Sequence, residues 1–348
     1  MSDRSEHNFK DMSDSPTTIK IKTSQKKSIG AFLKSNPMVV QWIGLLCAII
    51  TLFGVFTYIS PSFASLANID SLLTQLGMAY IVAFGVTFVF LVGGLDVSVG
   101  SMAAFGAMLP AWMMEHWYIS PTLGIIVCIS SGLIVGWLIG ILHTKAGVNP
   151  LIVTLGMMSL LRGLTNFIGN YIQINVFDPV IIYLGSGSIG PFSVPFILSI
   201  VIFGIMYFIQ SRTKIGRFIF ATGANPEASK LSGIQVDRYR IIIYMLCSSL
   251  SAFAGLVLAG RSYAAYSIAG LGWEFDAIGA VVIGGTSLTG GRGSVVGTVI
   301  GVLLMGVSTN GMLILEMPFF AQLVVKGTII IFAIWMDSQF RRIFARGL

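Results

Sequence analysis

The sequence predicts an all-α polytopic membrane protein with about ten transmembrane helices, two glycine-rich broken segments and both termini in the cytoplasm. Hydrophobic residues make up 55% of the 348 residues and charged residues only 10%. A soluble domain carries roughly 25% charged residues, so this chain lacks the polar side chains to cover a water-exposed surface. Many apolar runs approach the ~20 residues that span a bilayer.

The first 37 residues are polar, and we interpret them as a partly disordered cytoplasmic tail that is not cleaved. A signal peptide would have a shorter charged start and a cleavage site of small residues. Before the first apolar run the tail carries Lys20, Lys22, Lys26, Lys27 and Lys34. This cluster is consistent with an orientation signal for the first helix or with contact to anionic membrane lipid.

Ten apolar runs predict the helices of a membrane domain at 38–340, which is followed by a basic cytoplasmic C-terminus at 341–348. The runs are 39–60, 71–93, 98–114, 122–142, 150–168, 194–210, 241–260, 276–290, 294–314 and 320–336. With both ends in the cytoplasm, every Lys and Arg except Arg162, Arg261 and Lys326 falls on the cytoplasmic side. This distribution follows the positive-inside rule and supports the topology.

Three glycines in the fourth predicted helix, Gly132, Gly136 and Gly140, recur at every fourth position. Such spacing lets two helix backbones approach closely within lipid. The stripe is consistent with packing inside the chain, with a dimer seam or with a moving helix pair.

Two glycine-rich breaks interrupt the apolar runs, GGLDVSVGS at 93–101 and GGTSLTGGRGS at 284–294. Irregular backbone at membrane depth survives only where protein or a water-filled cavity satisfies its polar groups. Each break follows a hydrophobic run that ends in Gly-Gly, and each precedes another run. Their similarity suggests an internal duplication, which is common in transporters.

Asp96 is the acidic residue of the first break, with Ser98 and Ser101 close behind it. A carboxylate at the edge of a span is a candidate ion or substrate site, because charge is costly there. It is also suited to capping the next helix by accepting hydrogen bonds from free backbone N–H groups. Both interpretations stay open.

The second break approaches the phosphate-binding pattern GxxxxGK[ST] but departs from it at two positions. Gly291 stands where lysine is required and Arg292 where Ser or Thr is required. ATP binding by this chain is therefore not expected, and no cofactor is predicted on it. Cys47, Cys128 and Cys247 occur singly in apolar runs, which is typical of small buried side chains rather than metal ligands.

Charged residues also occur in and beside the predicted spans. Glu274 and Asp276 open the eighth span, where acidic groups suit the helix dipole, form a face for the external binding protein or line the mouth of a path. Arg162 and Lys326 lie inside otherwise apolar spans. Such cations are candidates for a path or a partner inside the bundle, or they pair locally or snorkel.

A polar loop at 211–240, here called the basic loop, contains six basic residues and a helix-start signal. Asn225, Pro226 and Glu227 suit the first turn of a helix, and Gly233 suits its end. A simple connector needs only a few residues, so a loop of this length favours a docking role in the cytoplasm.

Three motifs in this order resemble the permease subunits of bacterial ABC importers for monosaccharides, the ribose/xylose/galactoside type related to branched-chain amino acid permeases. They are GGLDVSVGS at 93–101, GRFIFATGANPEASKLSGI at 216–234 and EFDAIGAVVIGGTSLTGGRGS at 274–294. The resemblance runs from about residue 40 to residue 340. The long polar tail departs from the family pattern, and so does Ser229-Lys230, where Ala-Arg is commoner.

The resemblance implies a transport subunit of the bacterial inner membrane, which carries no catalytic residues. Its implied partners are a cytoplasmic ATP-binding cassette ATPase, an extracytoplasmic sugar-binding protein and a second copy or paralogue of the chain. The implied ATPase-coupling helix comprises Gly223, Asn225, Glu227, Ala228, Ser229, Ser232 and Gly233. The implied path or gate comprises Gly93, Gly94, Asp96, Ser98, Gly284, Gly285, Thr286 and Ser287.

Two other transport functions remain as alternatives, a branched-chain amino acid permease and an ion-coupled secondary transporter. The second would normally place ionisable groups near the bilayer midplane, and the spans offer only Arg162 and Lys326. An enzyme is disfavoured because no catalytic pattern of Ser, His and carboxylate residues occurs. Although the net charge is +7, the basic residues form no stripe with aromatic residues, so no nucleic-acid partner is predicted.

Overall fold

A computed structural model describes the backbone of residues 37–345 and the side chains of residues 41–332 and Trp335. The predicted polar tail and the C-terminal arginine side chains lie outside this part. By internal contacts the chain divides into residues 1–40 and residues 41–348, and the features described next belong to the second unit.

Within residues 37–345 the structure contains thirteen α-helices, one short 3-10 helix and four two-residue strands. The helices are α1 Pro37–Ile59, α2 Leu66–Leu91, α3 Val99–Trp117, α4 Pro121–Thr144, α5 Pro150–Gly169, α6 Pro179–Ser186, α7 Val194–Arg212, α8 Lys214–Ala224, α9 Pro226–Leu231, α10 Val236–Ser262, α11 Trp273–Ile283, α12 Val295–Ile314 and α13 Phe319–Ala345. The 3-10 helix is Pro61–Ala64, and the strands are β1 Ile174–Asn175, β2 Ser188–Ile189, β3 Phe192–Ser193 and β4 Ala264–Ala265. Strand β1 pairs antiparallel with β4, and β2 pairs antiparallel with β3.

The predicted apolar runs all coincide with helices, but one helix is much shorter than expected. In the described residues, seven helices are long and apolar enough to cross a membrane. The run predicted at 276–290 overlaps only the 11-residue α11, which begins at Trp273 and ends at Ile283. At ~1.5 Å per residue it covers about half of a ~30 Å bilayer core. Gly284 and Gly285 follow directly and end the helix early. The total of ten spans and the position of both ends remain predictions.

Helix α2 forms the centre of the bundle. Nearly all of its residues from Leu76 to Leu91 are buried, and it packs against α7, α10, α11 and α12. A helix that is apolar on all sides is expected in such a central position.

The glycine stripe of α4 packs against α10 within the same chain. A methyl group on Gly132, Gly136 or Gly140 would lie 2.5, 2.6 or 2.7 Å from a backbone atom of Ser249, Met245 or Ile241, respectively. These distances are far inside van der Waals contact, so the two backbones approach as closely as glycine allows. The packing interpretation of the stripe is therefore confirmed, and the glycines themselves face α10.

Candidate functional site

The basic loop folds into two short helices, α8 and α9, each started by a side-chain cap. Thr213 Oγ1 accepts a hydrogen bond from the Gly216 N–H at 3.1 Å. Asn225 Oδ1 accepts one from the Ala228 N–H at 3.0 Å, and Gly233 follows with a positive φ of 80°. The predicted helix start at Asn225 is confirmed. Helix α8 was not predicted, because Gly216 and Gly223 are poor helix formers.

Helix α9 presents an exposed face with one large apolar side chain. Leu231 is 91% exposed, and Glu227 and Lys230 form a solvent-exposed ion pair of 3.7 Å beside it. By contrast, Ser229 is only 5% exposed. Among the predicted coupling residues, Ser229 and Gly223 face the protein, whereas Asn225, Glu227, Ala228, Ser232 and Gly233 are exposed. Leu231 was missed because a single leucine in a short helix carries no pattern.

The end of α8 meets both glycine-rich breaks at one point, which we call the glycine junction: Gly93, Gly223, Gly290 and Gly291. The N–H of Gly291 donates a hydrogen bond to the carbonyl oxygen of Leu91, the last residue of α2, at 3.1 Å. A methyl group on Gly223 would overlap that same oxygen and lie 2.6 Å from the Gly291 nitrogen. Gly93, Gly290 and Gly291 adopt φ values of 74°, 89° and 70°, a region that other residues rarely enter. Three segments distant in the chain are thus joined by backbone contact.

The first break has no regular secondary structure between α2 and α3, and Asp96 lies at its centre. The Asp96 side chain is fully buried. Its Oδ1 accepts hydrogen bonds from the Ser98 N–H at 2.8 Å and the Ser98 hydroxyl at 2.6 Å. Helix α3 begins one residue later. Asp96 therefore orders the turn that leads into α3, a variant of the predicted capping role.

Tyr244 of α10 supports the same break. Its hydroxyl oxygen lies 3.3 Å from the Leu95 N–H, which donates to it. A methyl group on Gly94 would lie 2.5 Å from that oxygen. Arg240, one turn earlier on α10, donates from Nε to the Val92 carbonyl at 3.3 Å. Side chains of α10 therefore form hydrogen bonds with backbone groups of the break that have no partner within a helix. Irregular backbone in a membrane requires such partners.

The second break forms a compact loop between α11 and α12. The Ser287 N–H donates to the Arg292 carbonyl at 2.9 Å, and the hydroxyls of Ser287 and Thr289 are 2.9 Å apart. Thr286 is buried, and its hydroxyl has no hydrogen-bond partner among the described residues. Gly284 packs against Gly297 of α12, and Gly285 adopts a φ of 93°. The predicted path residues thus lie in two loops that meet at the glycine junction.

Glu274 and Arg162 both contact other segments of the bundle, and the predicted contact of Glu274 and Asp276 with an external binding protein stays a prediction. Glu274 is 6% exposed, and its Oε2 atom faces Gly100 at the start of α3. Arg162 donates to the carbonyl oxygens of Ser267 and of Ala269, the latter at 2.9 Å. It thereby holds the segment that leads into α11.

Asp276 pairs with the second cation of the predicted spans. Lys326 of α13 is 8% exposed, and its Nζ lies 2.8 Å from Asp276 Oδ2. Local pairing, one of the interpretations left open for Lys326, therefore describes its environment.

Comparison with known proteins places these features in a family context. The family described as branched-chain amino acid transport system / permease component matches residues 68–334, a range that contains both breaks, the basic loop and α11. Ribose import permease protein RbsC of Bacillus subtilis is 40% identical over 303 residues, which cover 86% of this chain and 94% of that protein. RbsC of Escherichia coli K12 is 36% identical over 299 residues, with coverages of 84% and 92%. Galactose/methyl galactoside import permease protein MglC of E. coli K12 is 30% identical over 332 residues, with coverages of 90% and 96%.

Proposed function

Because the chain belongs to the branched-chain amino acid transport system / permease component family, we propose that it is the membrane permease of an ATP-binding cassette importer for a monosaccharide. The observation that carries this proposal is the similarity to ribose and galactoside import permeases over 84–90% of the chain. The chain is a multi-pass membrane protein and a transport subunit rather than an enzyme. ATP is hydrolysed on a separate cytoplasmic ATPase, so this chain needs no cofactor of its own.

We further propose that the exposed face of α9 docks into a groove of that ATPase, with Leu231 as its apolar anchor. A leucine that is 91% exposed on a polar loop has no lipid to cover it there. Exposed apolar side chains that a polar rim surrounds are typical of protein interfaces. Asn225, Glu227, Ala228, Ser232 and Gly233 would form the rim, whereas Gly223 and Ser229 would hold α8 and α9 against the membrane domain.

The glycine junction supports a mechanism in which ATPase closure moves the broken segments. When ATP closes the two ATPase subunits, they bind one conformation of the permease better and shift the population toward it. Movement of α8 would reach the ends of α2 and of the second break directly, since Gly223 contacts Leu91 and Gly291. Gly93, Gly94, Gly284 and Gly285 would act as the bending points, and Ser98, Thr286 and Ser287 as weak polar contacts along the path.

The remaining features of the assembly follow from the same proposal. A sugar-binding protein delivers substrate from the extracytoplasmic side, and a second copy or a paralogue completes a dimer within the inner-membrane lipid. Ten predicted spans with both termini in the cytoplasm put the basic loop and the ATPase on one side. In that arrangement, α11 enters the membrane only partly.

The test is co-purification and transport with a matched pair of variants. Leu231→Asp removes the proposed anchor, and Ile189→Asp places the same charge on a 57% exposed isoleucine of β2, at the other end of α7. From native membranes, wild type and Ile189→Asp should retain the ATPase, and Leu231→Asp should lose it together with ATP-driven uptake. Equal retention by both variants would refute the docking role of α9.

Uptake assays separate the proposed substrate class from its alternatives. Radiolabelled ribose, galactose and leucine are supplied to cells that express the complete transporter. One set of cells carries the active ATPase, and the other carries an ATPase variant that cannot hydrolyse ATP. Uptake of a monosaccharide that needs ATP hydrolysis supports the proposal. Uptake of leucine instead would identify an amino acid permease, and uptake that survives without hydrolysis but collapses with the ion gradient would identify a secondary transporter.

A further inference from the structure

A cavity of about 60 Å³ lies in the membrane domain between α2, α11 and α12. Most of its wall is apolar and includes Leu76, Val302 and Met305. Four polar side chains reach it from the three helices: Gln75 of α2, Trp273 and Asp276 of α11, and Thr309 of α12. None of them belongs to the glycine-rich breaks or to the basic loop. A mostly apolar cavity with a few converging polar groups is the usual form of a small-molecule site.

One buried polar atom of this cavity lacks a hydrogen-bond partner among the described residues. Asp276 Oδ2 is bound by Lys326, but Oδ1 is buried and has no hydrogen-bond partner among the described residues. Within the same part of the chain, the Gln75 amide, the Trp273 indole N–H and the Thr309 hydroxyl form no side-chain hydrogen bonds; Thr309 is 9% exposed, and Gln75 and Trp273 are half-buried. Buried polar groups in proteins are almost always paired. The unpaired Asp276 oxygen, together with three further polar side chains at the same cavity, therefore indicates a site for a polar ligand or for the waters it displaces.

The charges around the cavity select the class of ligand. Because Lys326 neutralises Asp276 at 2.8 Å, the site carries no net charge and offers no particular attraction to an ion. Its remaining groups combine a carboxylate acceptor, an amide with both donor and acceptor, a hydroxyl and an indole donor. That set suits neighbouring hydroxyl groups, and an indole ring suits the apolar C–H face of a sugar. A neutral polyhydroxylated molecule fits these features better than an amino acid or a cation.

We propose that Gln75, Trp273, Asp276 and Thr309 form a monosaccharide-binding subsite inside this chain, which the sugar occupies briefly on its way across the membrane. The proposal rests on the proposed transport function and adds the place where the sugar is held. At ~15 Å³ per water, the cavity has room for about four waters. A pentose is larger, so the site must widen when it is occupied.

The short length of helix α11 and the glycines on either side of it allow this widening. The helix is only 11 residues long, and glycines with positive φ flank it, Gly272 at 84° and Gly285 at 93°. A short helix between such residues can shift as one unit, because glycine absorbs the change in backbone angles. Its C-terminal end leads into the second break and so into the glycine junction. Widening of the cavity and movement of the basic loop would therefore be linked.

The test measures uptake and ATP hydrolysis of the complete transporter, reconstituted in liposomes with its ATPase and binding protein, and uses ribose as the probe. Trp273→Ala should lower the initial rate of uptake about tenfold or more, by analogy with buried aromatic anchors. Thr309→Val should lower it about fivefold, as for one lost hydrogen bond. Thr328→Val is the matched control, since Thr328 is exposed on α13 and its hydroxyl bonds its own helix.

The ratio of sugar transported to ATP hydrolysed distinguishes a subsite from a structural role. Variants of a true subsite keep the ATPase stimulation that the loaded binding protein causes, so the ratio falls, and Trp273→Phe restores much of the uptake. If stimulation is lost in parallel with uptake, or if uptake equals that of Thr328→Val, the subsite is refuted.

A labelling experiment adds a direct measure of occupancy. In a Cys47→Ser background, which removes the exposed cysteine, Thr309→Cys should react with a small thiol reagent more slowly when ribose is present, and leucine should give no protection. Equal rates in ribose and in leucine would contradict the proposal.

If the wild-type transporter shows no ATP-driven ribose uptake but moves leucine, the proposed function itself fails. If wild type transports ribose and every cavity variant does so equally, only the subsite fails.

Discussion

Substitution of Gly223 by alanine gives a quantitative test of the glycine junction. The added methyl group would overlap the carbonyl oxygen of Leu91 and lie 2.6 Å from the nitrogen of Gly291. Carbon atoms in contact prefer a separation of ~3.5 Å or more, so the backbones must part by about 0.9 Å at least. Both obstacles are backbone atoms, which cannot rotate away as a flexible side chain can.

The expected destabilisation combines two effects. Overpacking of a close contact costs about 1–3 kcal/mol, and loss of the hydrogen bond between the Gly291 N–H and the Leu91 carbonyl adds about 1 kcal/mol. Gly223→Ala should therefore lower the free energy of unfolding by about 2–4 kcal/mol. Because the strained contact joins α8 to both breaks, ATPase stimulation by the binding protein should fall as well.

The assay compares thermal unfolding of the purified variants in lipid nanodiscs. Gly204→Ala is the control, since Gly204 lies in α7 and a methyl group there meets nothing within 4 Å. We expect a melting temperature for Gly223→Ala that is lower than the control by roughly 4 °C or more. If Gly223→Ala melts with the control and keeps normal stimulation, the junction is not the tight contact inferred here.

Two further predictions concern the ion pair and the cap of α9. Asp276→Asn should destabilise the protein by about 3 kcal/mol or more, since it leaves Lys326 buried without its counter-charge. The double variant Asp276→Asn with Lys326→Met should regain most of that loss in the same unfolding assay, and a double variant no more stable than the single one would contradict the buried pair. Asn225→Ala should cost about 1 kcal/mol of local stability by removing the bond to the Ala228 N–H. Faster hydrogen exchange confined to α9 would report it, whereas unchanged exchange there would show that the cap contributes nothing.

Features that depend on neighbouring residues were predictable. The start of α9 at Asn225-Pro226-Glu227 was recognised because capping acts over three or four residues. The positions of the long helices followed from apolar runs, since a bilayer demands a certain length of apolar chain. The predicted run at 276–290 extends beyond the end of α11, because it includes the Gly-Gly that follows Ile283. The 11-residue length of α11 became clear only in the structure.

The candidate cavity was outside the reach of sequence reasoning. Gln75 is one polar residue in a long apolar helix, Trp273 adjoins a glycine-rich loop, and Thr309 is a common residue in membrane helices. Each has an ordinary explanation on its own. Only packing of α2, α11 and α12 brings them to one cavity. Leu231 was missed for a related reason, since its meaning lies in its exposure.

The sequence by itself determined that this is a helical membrane protein, where its long helices lie and that a helix-bearing basic loop interrupts them. Hydropathy, charge placement and capping carry that information because each acts within one segment of chain. Only the tertiary structure decided that Gly223, Leu91 and Gly291 meet, that Glu274 faces inward and that Lys326 pairs with Asp276. Those contacts join residues far apart in the chain, and they arise from the way whole helices pack, which no local pattern encodes.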